Sequence, residues 1–520
     1  MSHHHPTTHG CQWRIPALLA LLATACLLLV SPDSYLHDLF NRVDSAWFYM
    51  CGKAWMEGMT PYVDFTDSKG PLLWLIYGAG YLISRHDYTG VFWLSCMSYA
   101  LTLWLIYRSA LLLTGNRRWA LLCATLMPLA YFYPYIHEEI KTEDFAQPFI
   151  ALCLYSTTLL TQAPRLTAAA VRRSLAAIGL SIACLLMMKY SLAGMTAIFA
   201  LLALPAAKRQ GLSPSKSIMW GLAGFAIALL PWAAYFALAG NFTAFVQEYF
   251  INTFDTLHHL RHQNGTIIDI LLKLRHHHIV TLFPLLCAGG AIVHALVFKH
   301  QRWVAITATA WFFIGTVPNA WWIYYYNSCT WTLYFGITAV AVLCSRRMSA
   351  PPRAVIATAA LAVTAATGAW SIAITPQNFF TSHNKARDTY YRYAYLMQQV
   401  EQPKVIYWDI YSTGFETAAG GLPGCKYWAG QNGATPAMQR AQEQAVKNGE
   451  ADFVLVADTT HHAQLTAWGY NVWDYNDRNN TGRCDDLLYT LYTRHQLKAP
   501  PPGFAPPTPH EIITKRWHLQ

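Results

Sequence analysis

Eleven apolar stretches of membrane-spanning length, or close to it, follow one another along the first three-quarters of this chain. They lie at 15–30, 91–113, 119–133, 145–162, 175–190, 192–206, 218–239, 278–298, 303–317, 329–345 and 354–375. Hydrocarbon offers backbone N–H and C=O groups no partner, so a segment that crosses it must satisfy them internally, as a helix does. Several of the stretches fall short of the ~20 residues a straight span needs. The pair 175–190 and 192–206 is separated only around Lys189-Tyr190-Ser191 and reads as two spans or as one long broken helix.

Charge decides between those two counts. The chain of 520 residues is 54% hydrophobic and only 12% charged, against about 25% charged in a soluble domain. Residues 376–520 carry equal numbers of acidic and basic side chains, so the net charge of +10 belongs to residues 1–375. With the N-terminus inside, the cytoplasmic positions collect Arg14, Arg117, Arg118, Arg172, Arg173, Lys208, Arg209, Lys299, Arg302, Arg346 and Arg347, while every Asp and Glu before residue 376 falls outside. That is the positive-inside pattern. Merging the pair would invert every later loop. The expectation is therefore an α-helical polytopic membrane protein of about eleven transmembrane helices, with its C-terminus outside. The same sorting argues against nucleic acid as a partner, because the basic excess lies in short loops between spans.

The polar N-terminus with His3, His4 and His5 reads as a solvated tail, and Ile15–Val30 as an uncleaved first helix, since no small-x-small cleavage site closes it. Pro71–Ile83 is too short to span and would invert the charge pattern, so it reads as a helix lying in the outer interface. The loop from Asn241 to His278 holds His258, His259, His262 and His276–His278, without the spacing or cysteines of a zinc site.

Composition changes after Thr375, which divides the chain into a membrane domain (1–375) and a soluble domain (376–520). Lys404–Trp408 and Ala451–Ala457 read as short buried strands with helical composition between them, Pro436–Lys447. This predicts a small α/β domain with a partly parallel sheet. Its glycines, Gly414, Gly420, Gly421 and Gly424, form no nucleotide-binding pattern. The tail Pro500–Pro509 reads as extended. Cys425 and Cys484 are the two cysteines of this domain, and outside the cytoplasm they are able to pair.

Polar chemistry concentrates in the outward segments, above all in 31–90. Asp44-Ser45-Ala46-Trp47 follows the first span, and Pro61-Tyr62-Val63-Asp64-Phe65-Thr66-Asp67-Ser68-Lys69-Gly70-Pro71-Leu72-Leu73 closes the loop. Charge near hydrocarbon costs roughly 2.5–3.5 kcal/mol per group at mid-bilayer, so carboxylates and a lysine held there suggest function. A second acidic group, His137-Glu138-Glu139-Ile140-Lys141-Thr142-Glu143-Asp144-Phe145-Ala146, lies on the same side, where Glu143 and Asp144 also suit a helix N-terminus. Met188-Lys189-Tyr190 forms a third element, its lysine equally readable as snorkelling.

Together these segments resemble the C-type glycosyltransferases, which include the protein O-mannosyltransferases and the lipid A aminoarabinose transferases. These multi-spanning enzymes take a sugar from a polyprenyl phosphate. The resemblance implies that Asp44 acts as, or orients, the catalytic base, and that Asp67-Ser68-Lys69-Gly70-Pro71-Leu72-Leu73 sits under the donor phosphate. It implies a second acid within Thr142-Glu143-Asp144-Phe145, without choosing between Glu143 and Asp144. Lys189 takes the place of the lysine in a third motif, but without that motif's Thr or Gly. Two further departures are Gly70, where the transferases often have Pro, and the spacer Ser68 between Asp67 and Lys69.

On this reading the leaving group is an anionic phosphate at the membrane surface. Lys69 and Lys189 stabilise it, and Asp44 takes the acceptor's proton. Attack opposite the phosphate inverts the anomeric centre. The implied partners are a polyprenyl-phosphate sugar, a lipid, glycan or protein acceptor, and membrane lipids. The implied place is a bacterial plasma membrane, with the soluble domain extracytoplasmic. No motif requires a cofactor, although a divalent cation between carboxylates and phosphate is compatible with the set. A transporter or flippase of a polyprenyl-linked lipid is the alternative. It would need the cations but not the base, and the inverted repeat common in transporters is not found.

Overall fold

A computed structural model describes residues 13–31, 33–34, 43–85, 87–133, 139–254, 278–316, 323–374, 385–412, 414–430, 434–457, 460–475 and 490–500. The membrane part runs α1 (Arg14–Val30), α2 (Val43–Met56), α3 (Pro71–Ile83), α4 (Thr89–Thr114), α5 (Arg117–Leu126), α6 (Pro128–Tyr131), α7 (Thr142–Gln162), α8 (Ala168–Leu186), α9 (Tyr190–Thr196), α10 (Ile198–Arg209), α11 (Pro214–Leu238) and α12 (Phe242–Phe245). A π-helical turn (Val246–Asn252) follows, then α13 (His278–Val297), α14 (Arg302–Thr316), a 3₁₀ segment (Ile323–Thr332), α15 (Leu333–Ser345) and α16 (Arg353–Ile374).

Among the described residues six helices are long and apolar enough to cross a membrane: Thr89–Thr114, Ala168–Leu186, Tyr190–Arg209, Pro214–Leu238, Tyr324–Ser345 and Arg353–Ser371. Arg14–Val30 and Leu282–Val297 are apolar but shorter. The other expected stretches are also helical over most of their length. The one at 119–133 breaks at Met127-Pro128 into α5 and α6. The pair at 175–206 is interrupted at Met187–Lys189, between α8 and α9.

One sequence expectation is corrected here. The stretch from Asp44 onward is not a loop throughout, because α2 occupies its first half with Asp44 in the first turn. Ser45 through Ala54 is buried without interruption, so this helix lies inside the fold with all its faces covered. Glycine lets α2 lie directly on α3. A Cβ on Gly52 would fall 2.4 Å from the Gly78 backbone nitrogen. The α3 helix forms over the expected residues, with Pro71 at its first position, where a missing N–H costs nothing.

After these helices, a further helix (Lys385–Met397) precedes a five-stranded sheet of order β2-β1-β3-β5-β4. The strands are β1 (Lys404–Tyr407), β2 (Leu422–Pro423), β3 (Phe453–Val456), β4 (Asn471–Tyr475) and β5 (Thr490–Thr493). The two expected strands are β1 and β3, paired parallel in the register Val405 to Phe453. The expected helix is Pro436–Asn448, capped by the Thr435 side chain and ended by Gly449 at φ 78°. The antiparallel strands β4 and β5 escaped the sequence reading. The domain boundary at 375/376, Cys484 and the tail from 501 lie outside the described residues. So do His3–His5, His258, His259, His262, His276 and His277.

The sheet domain sits on the side of the molecule where α2 and the 57–70 loop lie. Lys53 Nζ donates to the Gly421 carbonyl (2.7 Å) and the Thr66 N–H to the Lys426 carbonyl (3.2 Å). Lys426 pairs with Glu248 at 2.6 Å, and the Trp47 and Trp428 rings meet at 5.1 Å. The sheet region and the first half of the 44–73 stretch therefore share one side.

Candidate active site

Three segments converge around the first turn of α2. The first is the 64–70 loop. Gly70 N–H donates to the Met188 carbonyl (2.9 Å) and Leu72 N–H to the Met187 carbonyl (2.9 Å), which ties Lys69 beside the Met188-Lys189 turn. This contact explains the glycine. A Cβ on Gly70 would fall 2.1 Å from the Met187 oxygen, and a proline has no N–H to give. Within the loop, Asp67 accepts from the Lys69 N–H (3.2 Å) and the Ser68 hydroxyl (3.3 Å). Ser68 in turn accepts from Lys69 Nζ at 3.1 Å. The spacer Ser68 thus links the acid to the lysine. Lys69 Nζ also lies 5.5 Å from the Phe48 ring centre.

The second segment runs from Glu139 into α7. Glu143 pairs with Lys189 at 2.5 Å. Asp144 accepts from the Lys141 N–H (2.6 Å), from Tyr131 OH and from Asn327 Nδ2 (3.4 Å). Asp144 is therefore engaged in holding the start of α7 in place. Glu139 pairs with Lys141 at 3.3 Å. The third segment is the 3₁₀ turn. Its adjacent rings Tyr324 and Tyr325 stack at 4.7 Å. Lys141 Nζ lies 3.3 Å from the first ring centre, and Lys189 Nζ lies 4.2 Å from the second.

The arrangement sorts the predicted residues. Lys141 and Lys189 each have a carboxylate, Glu139 and Glu143. Among the described residues, the half-buried Asp44 carboxylate has neither a hydrogen bond nor an ion pair, and the Lys69 ammonium bonds only to Ser68. Burial pushes Asp44 above the usual carboxylate range. Lys141 and Lys69 pull it down, while Glu139 and Glu143 raise it further. Burial works against the Lys69 charge, yet Asp67, Tyr325, Asp44 and Glu143 outweigh it and hold the ammonium above its usual range. Among the described residues Asp44 and Lys69 are thus a carboxylate and an ammonium without an ion-pair partner within one electrostatic neighbourhood.

Glu139, Lys141, Tyr324 and Tyr325 were not singled out from the sequence. The available signal was Lys141 itself, a lysine in the outward acidic run, on the side where basic residues are few. Tyr411 of the soluble domain also feels the Asp44 charge and is pushed up by it and by burial. Among the described residues no group of three or more His, Cys, Asp or Glu is gathered to hold a metal ion.

No family model matches this sequence, and no curated relative does. Solved structures do. ArnT from Cupriavidus metallidurans bound to undecaprenyl phosphate is 12% identical, with a TM-score of 0.56 covering 94% of this chain and 98% of that one. Its apo state is 11% identical, with a TM-score of 0.60 over 93% and 97%. The archaeal oligosaccharyltransferase AglB from Archaeoglobus fulgidus, in complex with an inhibitory peptide and a dolichol-phosphate, is 12% identical at a TM-score of 0.46, over 93% and 74%. Over nearly its whole length the chain shares the fold of ArnT.

Proposed function

We propose that this chain is a membrane glycosyltransferase that moves a sugar from a polyprenyl phosphate to an acceptor hydroxyl or phosphate on the outer side of a bacterial plasma membrane. The carrying observation is that, among the described residues, Asp44 and Lys69 have no ion-pair partner while the neighbouring lysines are matched to carboxylates. A charge without partners near a desolvated site is the mark of chemistry rather than of structure. The undecaprenyl phosphate bound to ArnT, which shares the fold, supports a lipid-phosphate donor.

In the proposed reaction the acceptor oxygen attacks the anomeric carbon from the face opposite the phosphate, and Asp44 takes its proton. The bond from that carbon to the phosphate oxygen breaks, and its electron pair leaves with the phosphate. Lys69 meets the charge that accumulates there. The sugar ends with inverted configuration. Asp67 holds the Lys69 loop, Glu143 holds Lys189 beside it, and Asp144 fixes the start of α7. An acceptor phosphate carrying no proton would need no base, so the state of Asp44 matters most for a hydroxyl.

The test is to incubate the purified, detergent-solubilised protein with a panel of polyprenyl-phosphate sugars and to look for released polyprenyl phosphate and glycosylated product. Sugar transfer from one donor supports the reading. Lipid movement across vesicles with no sugar product from any donor overturns it in favour of a flippase. Reporter fusions after Gly115 and after Gln377 should give opposite signals. Equal signals would overturn this topology and, with it, the extracytoplasmic placement of the site.

A further inference from the structure

The residue after Asp44 is fastened to the segment before α7. Ser45 N–H donates to Glu139 Oε2 (3.0 Å), and the Ser45 hydroxyl donates to the Ile140 carbonyl (2.9 Å) and to Asp33 Oδ2 (3.3 Å). Ile140 N–H donates to the same Asp33 oxygen (2.8 Å), and Tyr77 OH to the Ile140 carbonyl (2.7 Å). Ser45, Glu139 and Lys141 are all buried. A carboxylate bonded to an N–H in the first turn of a helix is favourably placed. The other Glu139 oxygen meets Lys141 at 3.3 Å, and Lys141 rests on the Tyr324 ring. One ion pair thus joins the start of α2, the start of α7 and the 3₁₀ turn.

We propose that Glu139 and Lys141 are positioning residues for Asp44: the pair fixes the turn that carries this carboxylate and balances the charge beside it. The inference rests on the reading of Asp44 as the base. Neither residue needs to touch substrate. Among the described residues six groups act on Asp44: Lys141 and Glu139 from the segment before α7, Glu143 from α7, Lys69 from the loop before α3, Tyr324 from the 3₁₀ turn and Tyr411 from the segment after β1. Of the charged four, Lys141 acts on it most strongly and Glu139 next, with opposite signs. Removing one member of the pair should therefore move Asp44 in one direction, and removing the other should move it in the opposite direction.

The experiment is the pH profile of kcat/KM for sugar transfer in the full-length protein, with thermal unfolding measured alongside. Lys141→Met should carry the acid limb to higher pH, and Lys141→Arg should return it. Glu139→Gln keeps an oxygen for the Ser45 N–H but loses the negative charge, so the limb should move to lower pH. Glu139→Ala also loses the anchor, and kcat should fall up to ~10²-fold with the donor KM little changed, as for a misplaced base. Acid limbs that stay at the wild-type position, or that move the same way in Lys141→Met and Glu139→Gln, overturn the proposal. Asp44→Asn separates the two levels. An active Asp44→Asn removes the base reading itself, whereas an inactive Asp44→Asn with unmoved limbs in the pair variants removes only the positioning role.

Discussion

The two ends of α2 treat charge in opposite ways. Lys53, in the last turn, reaches the soluble domain, where its ammonium donates to the Gly421 carbonyl and faces Glu416. Glu416 accepts from Tyr407 OH and from the Ser412 hydroxyl (3.5 Å), and burial lifts it above the usual carboxylate range. Every member of that group has a partner. Asp44, in the first turn, has none among the described residues, and the nearby Lys69 ammonium has only a hydroxyl. Unpaired buried charge is costly and does not persist without a use. The Lys53 end is tied to the segment before the sheet strand at Leu422, and on the proposed function the Asp44 end is open to a ligand that brings its own charge.

Variants at the two ends test that contrast. The largest effect belongs to Asp44→Asn, which keeps size and loses the base. Turnover should fall ~10²–10⁴-fold with thermal stability unchanged or higher, since a desolvated charge has gone. Loss of stability with full turnover would make the two ends alike. Lys69→Ala comes next. It removes one cation from the departing phosphate and should cost about 10²–10³ in kcat, the scale of losing one oxyanion donor, with weaker donor binding besides. An unchanged donor affinity would place the phosphate elsewhere.

At the other end the effect should appear in stability. Glu416→Ala leaves Tyr407 and Ser412 without their acceptor and should cost about 1–3 kcal/mol, read by thermal unfolding, while the activity of the folded fraction stays within a few-fold. A loss of turnover comparable to that of Asp44→Asn would mean that the interface takes part in the chemistry.

The smallest effect is a pH dependence. Burial brings Lys53 from 10.5 down to about 8. Between those values the unfolded chain binds the proton that the folded one has released, so this group makes stability rise with pH across that window. Lys53→Met should flatten the rise in denaturant unfolding followed from pH 8 to pH 10. A rise unchanged in the variant would assign it to another group.

Much of the frame was legible because membranes impose it. Apolar length marked the helices, and Pro71 marked the start of α3 to the residue. The parallel strands β1 and β3 showed as apolar runs, as strands buried on both faces do. The strands β4 and β5 did not, since Asn471–Tyr475 and Thr490–Thr493 mix polar and aromatic residues without such a run. Asp44 and Lys69 were singled out by their motif, and the fold brings both into one electrostatic neighbourhood. The glycine at position 70 is required by the turn at Met187–Lys189 placed against it, and the spacer Ser68 bonds both Asp67 and Lys69; neither contact is visible in the sequence. The roles of Glu139 and Lys141 depend on contacts across about 95 residues of sequence, Ser45 to Glu139 and Ile140. Only the fold brings those residues together.

The central claim is that Asp44 serves the chemistry while Lys69 serves the donor in both its ground and transition states. The most direct measurement is donor affinity and single-turnover product formation, on one polyprenyl-phosphate sugar, for wild type, Asp44→Asn and Lys69→Ala. The account predicts that Asp44→Asn binds donor like wild type and fails to turn it over, and that Lys69→Ala loses both. Normal turnover in Asp44→Asn would contradict it outright.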